Sequence, residues 1–162
     1  MTTPPIQLTV AIENAEGFRS HAYWDPIGQC WTAGDGQTGP NIGPTTVLTR
    51  QQATAMLIQD EDVLITELYN AIPWTKKLSP PRFGALVDAS YNLGLNGLLA
   101  FHEALSAMEA EDWVGAVKGF DASRWDKQVR NRVNTICYMI LFDVWVEEYL
   151  SSAQTQQLYT ST

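Results

Sequence analysis

Glu16-Gly17-Phe18-Arg19-Ser20-His21-Ala22-Tyr23-Trp24-Asp25-Pro26-Ile27-Gly28 is where this chain changes from one kind of local structure to another. Ahead of it, apolar residues at Ile6, Leu8, Val10, Ala11 and Ile12 suit a short helix over Ile6 to Ala15, with Gly17 marking its end and Glu16 in its last turn. Behind it, from Ala22 to Val47, Gly28, Gly34, Gly36, Gly39 and Gly43 follow one another too closely for any helix, among Thr, Pro and aromatic residues. That composition predicts a small, turn-rich β region.

Outward from there the signals are helical. Thr49 followed by Gln52 is a capping box, and the run it opens stays helical to Ile72, where Pro73 stops it. Ser79 and Pro80 repeat the start signal, Ser as cap, and the apolar spacing through Phe83, Leu86, Val87, Ala89 and Tyr91 runs out at Gly94. Helices are predicted from Leu98 to Met108, Asp112 to Phe120 and Arg130 to Leu150, and the tail from Ser151 is polar and read as frayed. With no internal repeat and no Gly/Ser linker, this is an α+β chain of one domain, 1–162. A small β-containing lobe over about 12–52, a connecting helix over about 49–72 and an all-helical lobe over about 73–150 leave a cleft between unequal halves, a shape suited to a polymer.

At 162 residues the chain is long enough to bury a core without disulfide or metal. Its net charge of −8, from 18 acidic and 10 basic residues, argues against nucleic acid as a partner, since nucleic-acid binders present basic footprints to phosphate. Lys118, Arg124, Lys127, Arg130 and Arg132 nevertheless crowd one stretch and predict either a local basic surface or a solvated helix face. Cys30 and Cys137 lack the spacing of a zinc or redox motif and are read as free thiols, and His21 and His102 have no metal-ligand spacing around them. No cofactor and no metal is implied. The start of the chain has no basic segment followed by an apolar run, so no export signal is read there, and the apolar run Ile136 to Val146 is too short to span a bilayer. Most of the tryptophans are read as core, with Trp24, beside Asp25, as a face for a ligand. A monomer is expected.

Glu16 and Asp25 are the candidate chemical pair. Cleaving a glycosidic bond requires one carboxylic acid to protonate the leaving oxygen and one carboxylate to activate water or attack the sugar. A carboxyl at the negative end of a helix is favoured in its protonated form, and one in a Gly-rich β region meets solvent and backbone donors that favour its charge.

Here the motifs add what the pair alone does not. Glu-Gly at a helix end, then Tyr23-Trp24-Asp25, a glycine turn, and Thr32-Ala33-Gly34-Asp35-Gly36 resembles the signature of phage-type lysozymes, the family of the T-even and lambdoid phage endolysins. A second motif, Ser123-Arg124-Trp125-x-x-Gln128-x-x-Asn131-Arg132 followed by Trp145, resembles the same family independently, and Phe83-x-Ala85-Leu86 with Tyr91-Asn92-Leu93-Gly94 is similar to the helix that floors its cleft. The resemblance spans about Leu8 to Tyr149 and implies a lysozyme-like fold. It further implies Glu16 as general acid, Asp25 as second carboxylate and Thr32 as the hydroxyl that places the attacking water. Arg132 would ion-pair with Glu16, and Tyr91, Asn92 and Arg132 would contact the saccharide.

Three departures carry expectations of their own. One residue more than the common family spacing separates Gly28 from Thr32, which would displace the hydroxyl. Gln37 stands in place of the usual histidine. Asp35 stands where an apolar or aromatic residue is usual, and is expected to face solvent, the alternative being a third carboxylate near the cleft that raises the pKa of a neighbour.

The resemblance implies a muramidase that hydrolyses, with inversion, the β-1,4 bond between N-acetylmuramic acid and N-acetylglucosamine in peptidoglycan. A lytic transglycosylase, which needs only the Glu, and a non-catalytic wall-binding or virion module are the alternatives. As an endolysin the chain would wait in the host cytoplasm for release to the wall, through a holin-type pore, or travel in the virion.

Overall fold

The computed structural model describes residues 4–123, 125 and 129–146. The chain divides into two compact units, Met1–Val63 and Leu64–Thr162. Among the described residues the order is helix α1 (Ile6–Glu16), strands β1 (Arg19–Asp25) and β2 (Cys30–Gly34), helix α2 (Arg50–Ala71), a 3-10 helix (Pro73–Lys77), then α3 (Pro80–Leu93), α4 (Leu95–Leu99), α5 (His102–Glu109), α6 (Trp113–Asp121) and α7 (Arg130–Phe142). A mainly helical chain with one small antiparallel sheet is the α+β, lysozyme-like architecture that the sequence predicts.

In the first unit, α1 ends where Gly17 turns to a positive φ of 74° and its N–H donates to the carbonyl of Glu13 at 3.1 Å. The chain re-emerges at once as β1, which pairs with β2 in the register Asp25 with Cys30, Trp24 with Trp31 and Tyr23 with Thr32. A segment that follows lies alongside β1, with the Ala22 N–H donating to Thr46 and the Leu48 N–H to Ser20. Ala33, Ile42 and Leu48 form the small core beneath, flanked by Ala22, Trp31 and Met56. The capping box forms as read: the Thr49 N–H donates to Gln52 Oε1 at 2.9 Å, and the Gln52 N–H to Thr49 Oγ1 at 3.1 Å.

In the second unit, α3 is buried at eight successive positions, Phe83 to Ser90. A helix covered on every side is a central helix, and α6 and α7 pack on each other while α7 packs on α3. Gly84 is required where it stands, because a Cβ there would lie 2.4 Å from the indole of Trp145. Leu86, Leu98, Met108, Phe120, Ile136, Met139 and Ile140 complete this core.

Two predicted helices differ. The helix over Leu98 to Met108 is two, α4 and α5, because Phe101 leaves helical geometry (φ −81°, ψ 57°) and packs against Phe120 and Trp125 at ring separations of 5.1 and 5.8 Å. The last helix stops at Phe142, since Asp143 adopts a left-handed φ of 57°. Its carboxylate there accepts hydrogen bonds from the Ser79 hydroxyl and from Arg82. Ser79 therefore sits at the N-cap position of α3 as predicted but bonds to Asp143 instead of to the helix. The predicted continuation over 147–150 and the tail from Ser151 lie outside the described residues. Among those described, no helix is long and apolar enough to cross a membrane.

Candidate active site

The first unit carries Glu16, Asp25 and Thr32. Glu16 is the last residue of α1 and is half-buried. Gly17 is what allows the chain to leave the helix immediately after it, so that the carboxyl sits at a helix end joined by two residues to β1.

Asp25 closes β1. Its Oδ1 accepts the Ile27 N–H at 2.9 Å, a local turn that folds the carboxylate over its own hairpin loop. Gly28 permits this, because a Cβ there would come 2.9 Å from Asp25 Oδ2 and 3.2 Å from Cys30 Sγ. Gly28→Ala is therefore expected to leave the fold intact, as the carboxylate is a movable group, while displacing Asp25. The measurement is turnover against Tm: a drop of at least about tenfold in kcat with Tm nearly unchanged is the expected outcome, and unchanged kcat would show that the placement of Asp25 over the turn does not matter.

Residues directly opposite in an antiparallel pair share a face, and alternate residues along a strand share it too. The register thus puts Tyr23, Asp25, Cys30 and Thr32 on one face and Trp24 and Trp31 on the other. The extra residue before Thr32 is absorbed in the loop, where Gln29 takes a left-handed φ of 50°, and pairing resumes at Cys30. Thr32 consequently shares the face of Asp25, buried, with its hydroxyl 3.9 Å from Cys30 Sγ. Trp24 does not share it: its ring packs edge-on to Trp31 at 5.6 Å, on the opposite face from Asp25.

Asp35, expected to face solvent, is fully buried. Arg50 Nη1 reaches both of its oxygens, at 2.8 and 3.0 Å, and also lies 3.5 Å from Glu13. The Asp35 N–H donates to Gln37 Oε1 at 2.7 Å, an amide that occupies the space a side chain at Gly34 would need. Burial pushes the Asp35 carboxyl above the ordinary aspartate range, with the Arg50 hydrogen bond and charge pulling it back and Glu13 adding to the rise.

A carboxyl raised in this way holds its proton more tightly folded than unfolded. Its contribution to stability is complete below the ordinary aspartate range and is lost as pH climbs through the raised value. The Tm difference between wild type and Asp35→Asn is therefore expected to move against the wild type as pH rises from about 3.5 to about 7. A difference that grows in favour of the wild type over that range would mean that Arg50 outweighs burial.

The second unit carries Tyr91, Asn92 and Arg132. Arg132 is buried, and its Nε and Nη2 donate to Asp88 Oδ1 at 2.9 and 2.6 Å. The Tyr91 ring lies 5.9 Å from the same guanidinium, and the exposed Asn92 accepts the Trp125 indole N–H at 2.7 Å. Asp88 is a partner that the resemblance does not name. Its signal in the sequence is a single charge inside an otherwise uncharged run, Phe83 to Ser90. The basic stretch is not one surface: Lys118 and Arg130 are exposed and Arg132 is buried, while Arg124 and Lys127, like Gln128 of the second motif, lie outside the described residues.

A cavity of about 580 Å³ in the second unit, lined by Phe101, His102, Glu103 and Lys118 among others, holds none of the six predicted residues. Among the described residues no group of three or more His, Cys, Asp or Glu is placed to hold a metal ion, and Cys30 and Cys137 are free thiols.

The chain matches the phage lysozyme family model over residues 13–138. It is 25% identical to the pre-baseplate central spike protein Gp5 of Enterobacteria phage T4, over 85% of this chain and 28% of that protein. It is 28% identical to the endolysin of Bacillus phage PZA, over 72% of this chain and 43% of the other. With the probable T4-type lysozyme 1 of Dictyostelium discoideum it shares 31% identity over 40% of this chain and 38% of that one. The match thus spans less than half the length of each of these curated relatives. A family match that takes in Glu16, the hairpin with Asp25 and Thr32, and the helices bearing Tyr91, Asn92 and Arg132 places this chain in the phage lysozyme family.

Proposed function

We propose that the protein is a muramidase, hydrolysing the β-1,4 bond between N-acetylmuramic acid and N-acetylglucosamine in peptidoglycan. The observation that carries this reading is the hairpin register, which sets the Asp25 carboxylate and the Thr32 hydroxyl on one face in a member of the phage lysozyme family whose α1 ends on Glu16. Glu16 would give its proton to the glycosidic oxygen as that bond breaks. Water, aligned by Thr32, would add to the anomeric carbon from the other side and pass its proton to Asp25, with inversion. The glycan is left with a new reducing muramic-acid end and a free 4-hydroxyl on the glucosamine. Tyr91 and Asn92 offer an aromatic face and an amide of the kind that suits an N-acetylated sugar. No cofactor enters this scheme.

Mass analysis of purified peptidoglycan after digestion tests it. Reducing muramic-acid ends are the expected product. Anhydro-muramic ends would instead mean a transglycosylase, in which the sugar's own hydroxyl attacks, and absence of products from folded protein would mean a module that binds the wall without cutting it.

The similarity to a central spike protein over 85% of the chain favours one second reading, a wall-cutting module carried in a virion. Peptides of this chain recovered from gradient-purified particles would support it, and recovery from the lysate alone would favour a lysis role.

A further inference from the structure

Arg50 is the first residue of α2, a position where a cation opposes the helix dipole. It does not contribute to the cap, which Thr49 and Gln52 provide. What fixes it is a set of three contacts, all inside the first unit. Its Nη1 holds the buried Asp35 carboxylate at 2.8 Å and lies 3.5 Å from Glu13, and its guanidinium stacks over the Phe18 ring at 4.3 Å. Glu13 also accepts the Thr54 hydroxyl, which ties the same turn of α1 to α2.

The positions of those partners give the cluster its meaning. Glu13 is one helical turn before Glu16. Phe18 is in the two-residue passage from Glu16 to β1. Asp35 follows directly on β2, three residues after Thr32, and is locked by Gln37, whose backbone pairs with Ala33. One planar group therefore meets the helix end that presents Glu16, the link to the strand that presents Asp25, and the end of the strand that presents Thr32.

We propose that Arg50 is a positioning residue, holding the segments that carry Glu16, Asp25 and Thr32 in fixed register through Glu13, Phe18 and Asp35. The inference rests on the muramidase reading above. A guanidinium suits the task because one of its nitrogens meets both carboxylates while its flat face stacks on the Phe18 ring, a stack that a compact lysine ammonium does not reproduce.

The test is steady-state kinetics on soluble, uncrosslinked glycan strands, with kcat expressed per folded molecule. Arg50→Gln is expected to lower kcat by about ten- to a hundredfold with KM within about twofold, since misplacement of reacting groups acts on turnover. Arg50→Lys is expected to regain part of that loss. Because Arg50→Gln takes a cation from beside a buried carboxylate, the double variant Asp35→Asn/Arg50→Gln removes both charges together and is expected to keep the fold. Its kcat is expected to stay low.

If the folded variants turn over like the wild type, or lose only Tm, the positioning role is overturned. That result alongside a dead Glu16→Gln would leave the muramidase reading standing, whereas a wild type without turnover would remove both.

Discussion

Glu16→Gln is expected to lower the release of reducing muramic-acid ends from purified peptidoglycan by about 10²–10⁴-fold, the range that a general acid contributes. The change keeps the shape of the side chain and removes the one proton that the leaving oxygen requires. The fold is expected to survive the change, because glutamine keeps the length and one acceptor oxygen of the side chain that closes α1, and Tm of the variant checks it. Asp25→Asn separates the remaining possibilities. The asparagine still accepts the Ile27 N–H through its carbonyl and so keeps the turn, but it cannot take a proton from water. Products that vanish in both variants would mark a two-carboxylate hydrolase. Anhydro ends lost only with Glu16→Gln would mark a transglycosylase, and a Glu16→Gln variant retaining more than about a tenth of wild-type turnover would remove Glu16 from the role of acid.

How far such roles were legible in the sequence depends on how local their causes are. The end of α1 at Gly17, the Thr49 and Gln52 cap and the stop at Gly94 depend on backbone chemistry within a few residues, and each lies where it was read. The period of two along a strand is equally local and puts neighbours on opposite faces, but the composition of the stretch predicts only a turn-rich β region and not strand bounds that include both Trp24 and Asp25. In the structure both belong to β1, and the pleat sends the two apart. Partners that meet through the fold were not legible. Asp35 was expected in solvent because carboxylates usually are there, and its burial depends on Arg50, fifteen positions on. Phe101 breaks a helix whose local spacing is good, because its ring packs against Phe120 and Trp125. Asp143, reached by Ser79 and Arg82 from more than sixty positions away, ends another.

Asp88→Asn should be the most damaging polar substitution in the second unit, destabilising the protein by about 3–5 kcal/mol. Asp88 is fully buried and accepts two bonds from a guanidinium that is itself buried, on a helix covered on all sides. Removing the carboxylate charge takes from a cation held out of water the carboxylate that meets its Nε and Nη2, and the loss of that attraction against an unchanged desolvation cost is the source of the effect. Removing both charges together in Asp88→Leu/Arg132→Met should restore much of the stability, since the attraction between two buried ions largely offsets their own desolvation. Thermal unfolding of the wild type, Asp88→Leu, Arg132→Met and the double variant gives the coupling directly. Single variants as stable as the wild type would mean that the pair is not desolvated as the structure has it. The activity of the double variant then decides what the pair is for. Stability restored with turnover still low would mean that Asp88 serves to aim Arg132 at the glycan, because apolar side chains supply the packing and lack only the charge. Stability and turnover restored together would make the pair one of several solutions to filling the middle of the unit, and would remove Arg132 from the residues that the resemblance implies contact the saccharide.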